Sequence, residues 1–473
     1  MKTKASLVIR ALEVLLLAAL LAGAVSCKTG PAAPAVATPP EPPRNTSALL
    51  EKIADLLGKG DYEGALALFD RIDPRDAGKS EIRLLKASAC LSAGKTGEAR
   101  AIAEEVNGAE PSNTQALLVL ASVEEALGKE KEQKTLLERV LKLEPANTAA
   151  LVSMGNIAAR NNSFRSAAAY YDQALAADPA NGGALLGRAW VYRAVKDHKK
   201  AEEFLTKAVE LYPRWAAPLH ERGRFYKALG YPTYALVDLD KAKAMEPANY
   251  WIACDRGDAL ADLNRKNEAL AEFERAVKLN PNYFLAYVYS AGINDELGKY
   301  DEAARDYETL IRLNPEYYFA FEGIGMHLMR RGDWLAARDA FLEAYRRSKE
   351  KNDESAFGLL AALNWMKGGR PHEPRQFLEE VMRKVQRDSL EYWMLRLYHD
   401  LSGDGEIAIR IDKEKNKTLK ARMLYYLASY YDIRGNKNLA DKCFLQVREL
   451  DIKGIPEWRL NEWALEARGL ALN

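Results

Sequence analysis

A proline recurs at a fixed interval through the middle of the chain. Pro111, Pro145, Pro179, Pro213, Pro247, Pro281 and Pro315 stand 34 residues apart with no slippage. A constant period of this length means one supersecondary unit copied along the chain. Such a unit cannot bury its apolar side alone. It does so by stacking on its neighbours, so the chain must fold as a linear array.

With each repeat begun three residues after the preceding proline, the starts fall at 114, 148, 182, 216, 250, 284 and 318, and one period earlier at 80. The eighth residue is then small throughout: Ala87, Ala121, Gly155, Ala189, Gly223, Gly257, Ala291 and Gly325. The twentieth is alanine except at Gln133. Small residues at fixed places let two helices cross closely. The fifteenth is Gly94, Gly128, Asn162, Lys196, Gly230, Asn264, Gly298 or Gly332. Glycine and asparagine tolerate the left-handed backbone that ends a helix. The predicted unit is helix, turn, helix, proline. Proline stops the second helix because it lacks the amide hydrogen and clashes with the preceding turn.

These residues resemble the tetratricopeptide repeat. The second-helix aromatic of that family is matched by Tyr171, Phe273, Tyr307 and Phe341. The sequence departs from it at Gln133 and in the first-helix aromatic, which is often missing. The resemblance implies an all-α fold, a superhelical solenoid of helix–turn–helix repeats. Its members bind peptide and protein segments along the groove lined by the first helices.

Residues 1–26 read as a signal segment. Lys2, Lys4 and Arg10 precede an apolar run from Val14 to Val25, interrupted upstream only by Glu13 and short for a membrane span. The run ends in Ala24-Val25-Ser26-Cys27. That end resembles the bacterial lipobox, with Ala24 in place of the usual leucine, and implies lipidation of Cys27. Several acyl chains there suffice for stable anchoring. Residues 27–45 carry six prolines among alanines. They read as an extended tether reaching on the order of 50 Å. The regular array is expected over 46–351, its first copy having an early Pro74 and a short second helix. Degenerate copies are expected over 352–454, with one good copy at 421–454. The stretch Ser402 to Lys417 reads as a polar loop. Pro456 opens a capping helix within 455–473 that covers the last repeat's apolar face.

Lys and Arg number 68 against 67 acids, and removal of residues 1–26 leaves 65 against 66. A near-neutral chain gives no ground for a nucleic-acid partner. Cys90, Cys254 and Cys443 fall in distant repeats, so no disulfide is expected. The five histidines form no ligand spacing, and neither a metal nor a cofactor is expected. No GxxxxGK, HExxH or GxSxG occurs, and the expectation is a non-enzyme.

Positions 2, 5, 9 and 12 of each first helix share one side. In the resembled family that stripe lines the groove. Here it carries Val152 and Asn156, then Leu186, Trp190 and Arg193, then His220, Arg224 and Lys227, then Trp251, Cys254 and Asp258 with Asp255 and Asp262 beside them. The next repeats add Asp295, Glu296, Phe319 and Glu322. The expected partner-binding set is Asn156, Trp190, Arg193, His220, Arg224, Lys227, Trp251, Asp255 and Asp258. It reads as a basic centre for a partner's carboxylate, followed by an acidic stretch for a basic segment. Asn156 resembles one element of a two-carboxylate clamp, but Val152 stands where the clamp lysine belongs, so that function is not carried over. The alternative is that these charges solvate a wide face and the tryptophans fill gaps between repeats.

The expected function is therefore a lipid-anchored scaffold facing the periplasm of a bacterial envelope, with the outer membrane favoured, that binds protein partners in envelope assembly. The second reading is a small-ligand or transporter-associated receptor with a pocket around Trp190 and Trp251.

Overall fold

A computed structural model describes residues 46–348 and 351–470. The signal segment, Cys27 and the proline-rich tether lie outside the described residues. All regular structure among the described residues is helical. None of these helices is long and apolar enough to cross a membrane.

The first helices of the repeats, here A-helices, run Ser80–Ser92, Thr114–Ala126, Thr148–Arg160, Gly182–Ala194, Ala216–Ala228, Tyr250–Asp262, Phe284–Glu296 and Tyr318–Arg331. Each begins on the residue where its repeat starts. Every fifteenth position is left-handed, from φ 57° at Asn162 to φ 79° at Gly230 and Gly332. Lys196 adopts φ 63° there without being glycine or asparagine. A B-helix follows each turn, such as Phe164–Ala177 or His198–Leu211, and in the first seven of these repeats ends just ahead of the proline.

The proline is only part of the stop. Glu144 accepts hydrogen bonds from Asn147 Nδ2 and from Thr114 Oγ1, both at 2.7 Å. Asn147 Oδ1 in turn accepts from the Ala150 amide and caps the next A-helix. Glu110, Asn113 and Ser80 repeat the arrangement one unit earlier. One carboxylate thus ties the end of a repeat to its own start and to the start of the next. An N-cap of this kind contributes about 1 kcal/mol.

The small positions mark where aromatic rings enter. Tyr171 is buried. A Cβ added at Gly155 would lie 2.5 Å from its ring, and one at Gly187 of the next repeat 2.4 Å. The ring occupies space that two glycines leave open, one in each repeat. Phe341 fills the same space over Gly325, and Tyr307 over Gly323.

The chain divides into two compact units after Ala259, within the helix Tyr250–Asp262. In the first unit the core consists of separate seams between successive helices, such as the one around Leu117, Leu137 and Met154. Its first repeat has a long helix Thr46–Lys59 and a short Tyr62–Phe69, then a brief helix from Pro74. In the second unit one apolar cluster extends from Met326 to Leu465.

Two expectations for the C-terminal third change. Much of the stretch Ser402 to Lys417 is a helix, Asp404–Lys413, which buries Ile407 and Ile411 one turn apart. Polar composition hid a two-residue apolar stripe. The terminal helix Pro456–Ala467 packs on Lys417–Ile433 and Lys437–Leu450 as a cap would, but it also reaches Tyr318–Arg331. Its cover is wider than the last repeat.

Candidate functional site

In the first unit the A-helices are joined by ion pairs running from one to the next. Arg193 Nη1 lies 3.5 Å from Glu221 Oε2. Arg224 Nη1 lies 2.9 Å from Glu221 Oε1, and Arg224 Nε lies 3.3 Å from Asp255 Oδ2. His220 Nε2 is 2.6 Å from the same Asp255 oxygen. Lys227 Nζ is 2.6 Å from Asp258 Oδ2. The ladder spans Gly182–Ala194, Ala216–Ala228 and the first turns of the helix from Tyr250, and it follows the A-helix stripe read from the sequence.

The ladder brings together Arg193, His220, Arg224, Lys227, Asp255 and Asp258. Three cations of fixed charge face three carboxylates, so the centre is charge-balanced and not basic as the stripe alone implied. The residue missed was Glu221. It lies off the 2-5-9-12 pattern, but it stands three residues before Arg224, and an acid and a base at that spacing share a helix face.

The three cationic side chains are partly exposed. The side chains of Arg193, Arg224 and Lys227 are 26%, 37% and 30% exposed, whereas His220 is 1% exposed. His220 is therefore a buried brace for Asp255 and not a contact surface. Burial opposes ionisation of Glu221, yet Arg224, His220 and Arg193 together hold its pKa below the usual glutamate value. Burial likewise acts against the Asp255 carboxylate, and the His220 hydrogen bond, with Arg224 and Lys227, carries its pKa below the usual aspartate value. Burial pulls the Arg193 guanidinium down from its ordinary value, with Glu221 pulling the other way.

The remaining expected residues sit around this ladder. Trp251 is half-buried beside Tyr250, their rings 5.1 Å apart. Trp190 is half-buried and packs on Phe164 at 5.6 Å. Asn156 Oδ1 accepts a 2.7 Å hydrogen bond from the Tyr171 hydroxyl, which ties it to its own repeat. Cys254 is buried, as are the other thiols Cys90 and Cys443. Among the described residues no three His, Cys, Asp or Glu side chains are placed to hold a metal ion.

In the second unit the expected acidic stretch is also engaged. Asp295 is buried, and Tyr307, His327 and Arg459 surround it. Phe319 is exposed and stacks on Tyr318 at 4.1 Å.

Such a face can do one thing well. Its cationic side chains are paired yet partly exposed, within reach of an incoming charge. This favours selectivity and orientation more than raw affinity.

Models of the tetratricopeptide repeat match residues 56–123, 114–147, 152–214, 252–283 and 295–352. No curated protein matches the chain. Solved structures similar to it include MamA, at 24% identity over 35% of this chain and 96% of that one, with a TM-score of 0.33. Another is TTC0263, a thermophilic TPR protein of Thermus thermophilus, at 25% identity over 38% of this chain and 98% of that one, with a TM-score of 0.35. A third is YrrB, described as a TPR protein with an unusual peptide-binding site, at 20% identity over 39% of this chain and 96% of that one, with a TM-score of 0.32. The repeat matches and the helix register lead to one conclusion: the chain belongs to the tetratricopeptide repeat family.

Proposed function

We propose that this protein is a lipid-anchored scaffold of the bacterial envelope, facing the periplasm and held in the outer membrane through Cys27. It binds a protein partner on the A-helix face of its first unit. Tetratricopeptide arrays serve protein–protein interaction, and YrrB is described as binding a peptide. The observation that carries the reading is the ion-pair ladder from Arg193 to Asp258, with Trp190 and Trp251 half-buried on the same stripe. Partly open arginines and tryptophans are the side chains that anchor interfaces. The partner segment carries both signs of charge, since the ladder offers cations and carboxylates side by side.

The test is a photoreactive residue in place of Trp190, used in intact cells with mass spectrometry of the adduct. The expected result is one envelope protein, whose capture falls at least tenfold when Arg193, Arg224 and Lys227 are all reversed to glutamate. Capture that is indifferent to the reversal overturns the site. A small molecule retained on native purification, with no protein adduct, moves the assignment to a receptor. Cys27→Ser tests the anchor separately: the protein is expected to leave the membrane fraction, and unchanged fractionation rejects anchoring.

A further inference from the structure

The second unit contains a contact that joins residues far apart in the chain. Arg459 Nη1 donates to Asp295 Oδ2 at 2.8 Å, and Trp463 Nε1 donates to the Tyr300 hydroxyl at 3.1 Å. The Trp463 and Tyr300 rings meet edge to face, 5.3 Å apart at 89°. Arg330 lies over the Tyr300 ring at 4.0 Å and reaches Trp463 at 5.9 Å. Arg459 and Trp463 are four residues apart and so share one side of the helix Pro456–Ala467. The other side belongs to the neighbouring hairpin: buried Glu457 accepts from Tyr426 Oη at 2.8 Å, Asn461 donates to the Phe444 carbonyl, and Glu462 pairs with Arg448.

Part of the receiving side is held by its own residues. Asp295 accepts from the Tyr307 hydroxyl at 2.7 Å and lies 2.9 Å from His327 Nε2. The face of Tyr300 is held by Arg330. With Arg459 withdrawn, Tyr307 still donates to Asp295 Oδ2 and His327 still lies beside Oδ1, whereas the Tyr300 hydroxyl loses its Trp463 donor. The two halves also differ in chemistry: a carboxylate on the A-helix Phe284–Glu296 and a tyrosine opening the B-helix Tyr300–Leu313, an arginine and a tryptophan on the incoming helix. This is the pattern of a groove reading an amphipathic helix through anchors one turn apart.

We propose that Asp295, Tyr300, Tyr307, His327 and Arg330 form a recognition surface for a helix presenting arginine and tryptophan four residues apart, and that the chain's own C-terminal helix is its resident occupant. The surface is closed to outside helices while that helix is seated. Asp295, one member of the acidic stretch that the sequence assigned to a basic partner segment, takes its cation from the same chain. The proposal is independent of the reading at Trp190, which concerns other residues.

The experiment uses the full chain with a protease site inserted at Gly454, where an added Cβ would meet nothing. After cutting, a fluorescent peptide of residues 455–470 is added in excess and its uptake measured by anisotropy. The peptide is expected to replace the cut segment. A peptide with R459A and W463A keeps every group that faces the hairpin and is expected to bind at least tenfold more weakly. Uptake of both peptides within twofold overturns the proposal, because the hairpin side then accounts for the docking. If the cut chain unfolds, the uncut Asp295→Asn variant decides. Faster amide exchange confined to 456–467 supports the surface, and unchanged exchange overturns it.

Discussion

At the residue scale, Lys196 is the odd member of a repeated turn. Seven of the eight equivalent positions are glycine or asparagine, and all eight are left-handed. A lysine there carries the Cβ clash that glycine avoids. Lys196→Gly relieves it, and the gain is offset in part by the added freedom of the unfolded chain, leaving about 1 kcal/mol of stabilisation. Chemical denaturation read by circular dichroism checks this; a loss of stability means Lys196 makes a compensating contact. Asp255 gives the second prediction. Its folded pKa is held below the ordinary 3.8, so its contribution is full above that value and fades as pH falls through the lower folded one. Asp255→Asn is expected to cost about 1–3 kcal/mol near neutral pH. The gap between the two proteins should begin to narrow as pH falls below the ordinary 3.8 and go on narrowing until folded Asp255 takes up its proton at its lower value. A gap that does not narrow at all below the ordinary value excludes a charge effect.

At the scale of elements, legibility followed periodicity. The A-helices start where the proline count places them because the turn residue and the small crossing positions are local requirements, repeated in every copy. Asp404–Lys413 was not legible. Ile407 and Ile411 are buried but Ile409 between them is exposed, so the apolar residues alternate and give no clear helical stripe to outweigh Gly403, Asp404 and Gly405. The candidate site was half legible for a related reason. Helical spacing placed Arg224 and Asp255 on one stripe, but the stripe shows which residues share a side and not which of them pair. Glu221 sits off the pattern and neutralises Arg193 and Arg224 from within. The link from Arg459 to Asp295 spans 164 residues, and no window of a sequence displays it.

At the scale of the molecule, the two units hold their cores differently, and this predicts how damage spreads. In a stacked array each repeat touches its neighbours, so a local defect should decay with distance along the chain. The seams of the first unit have that character. In the second unit an apolar cluster runs from Met326 to Leu465, and the helices it joins should open together. Gly187→Ala places a methyl group 2.4 Å from the Tyr171 ring and forces the repeat junction apart. Overpacking of this kind costs about 1–3 kcal/mol. Hydrogen exchange with mass spectrometry should show faster exchange over residues 148–215, a smaller change in the flanking repeats, and none over 417–467. Equal acceleration over 417–467 would mean that the chain unfolds as one cooperative block, and the division after Ala259 would then have no energetic meaning. Exchange confined to the first unit would make that division the boundary at which destabilisation stops, leaving the closed core around the C-terminal helix able to persist while repeats of the first unit open.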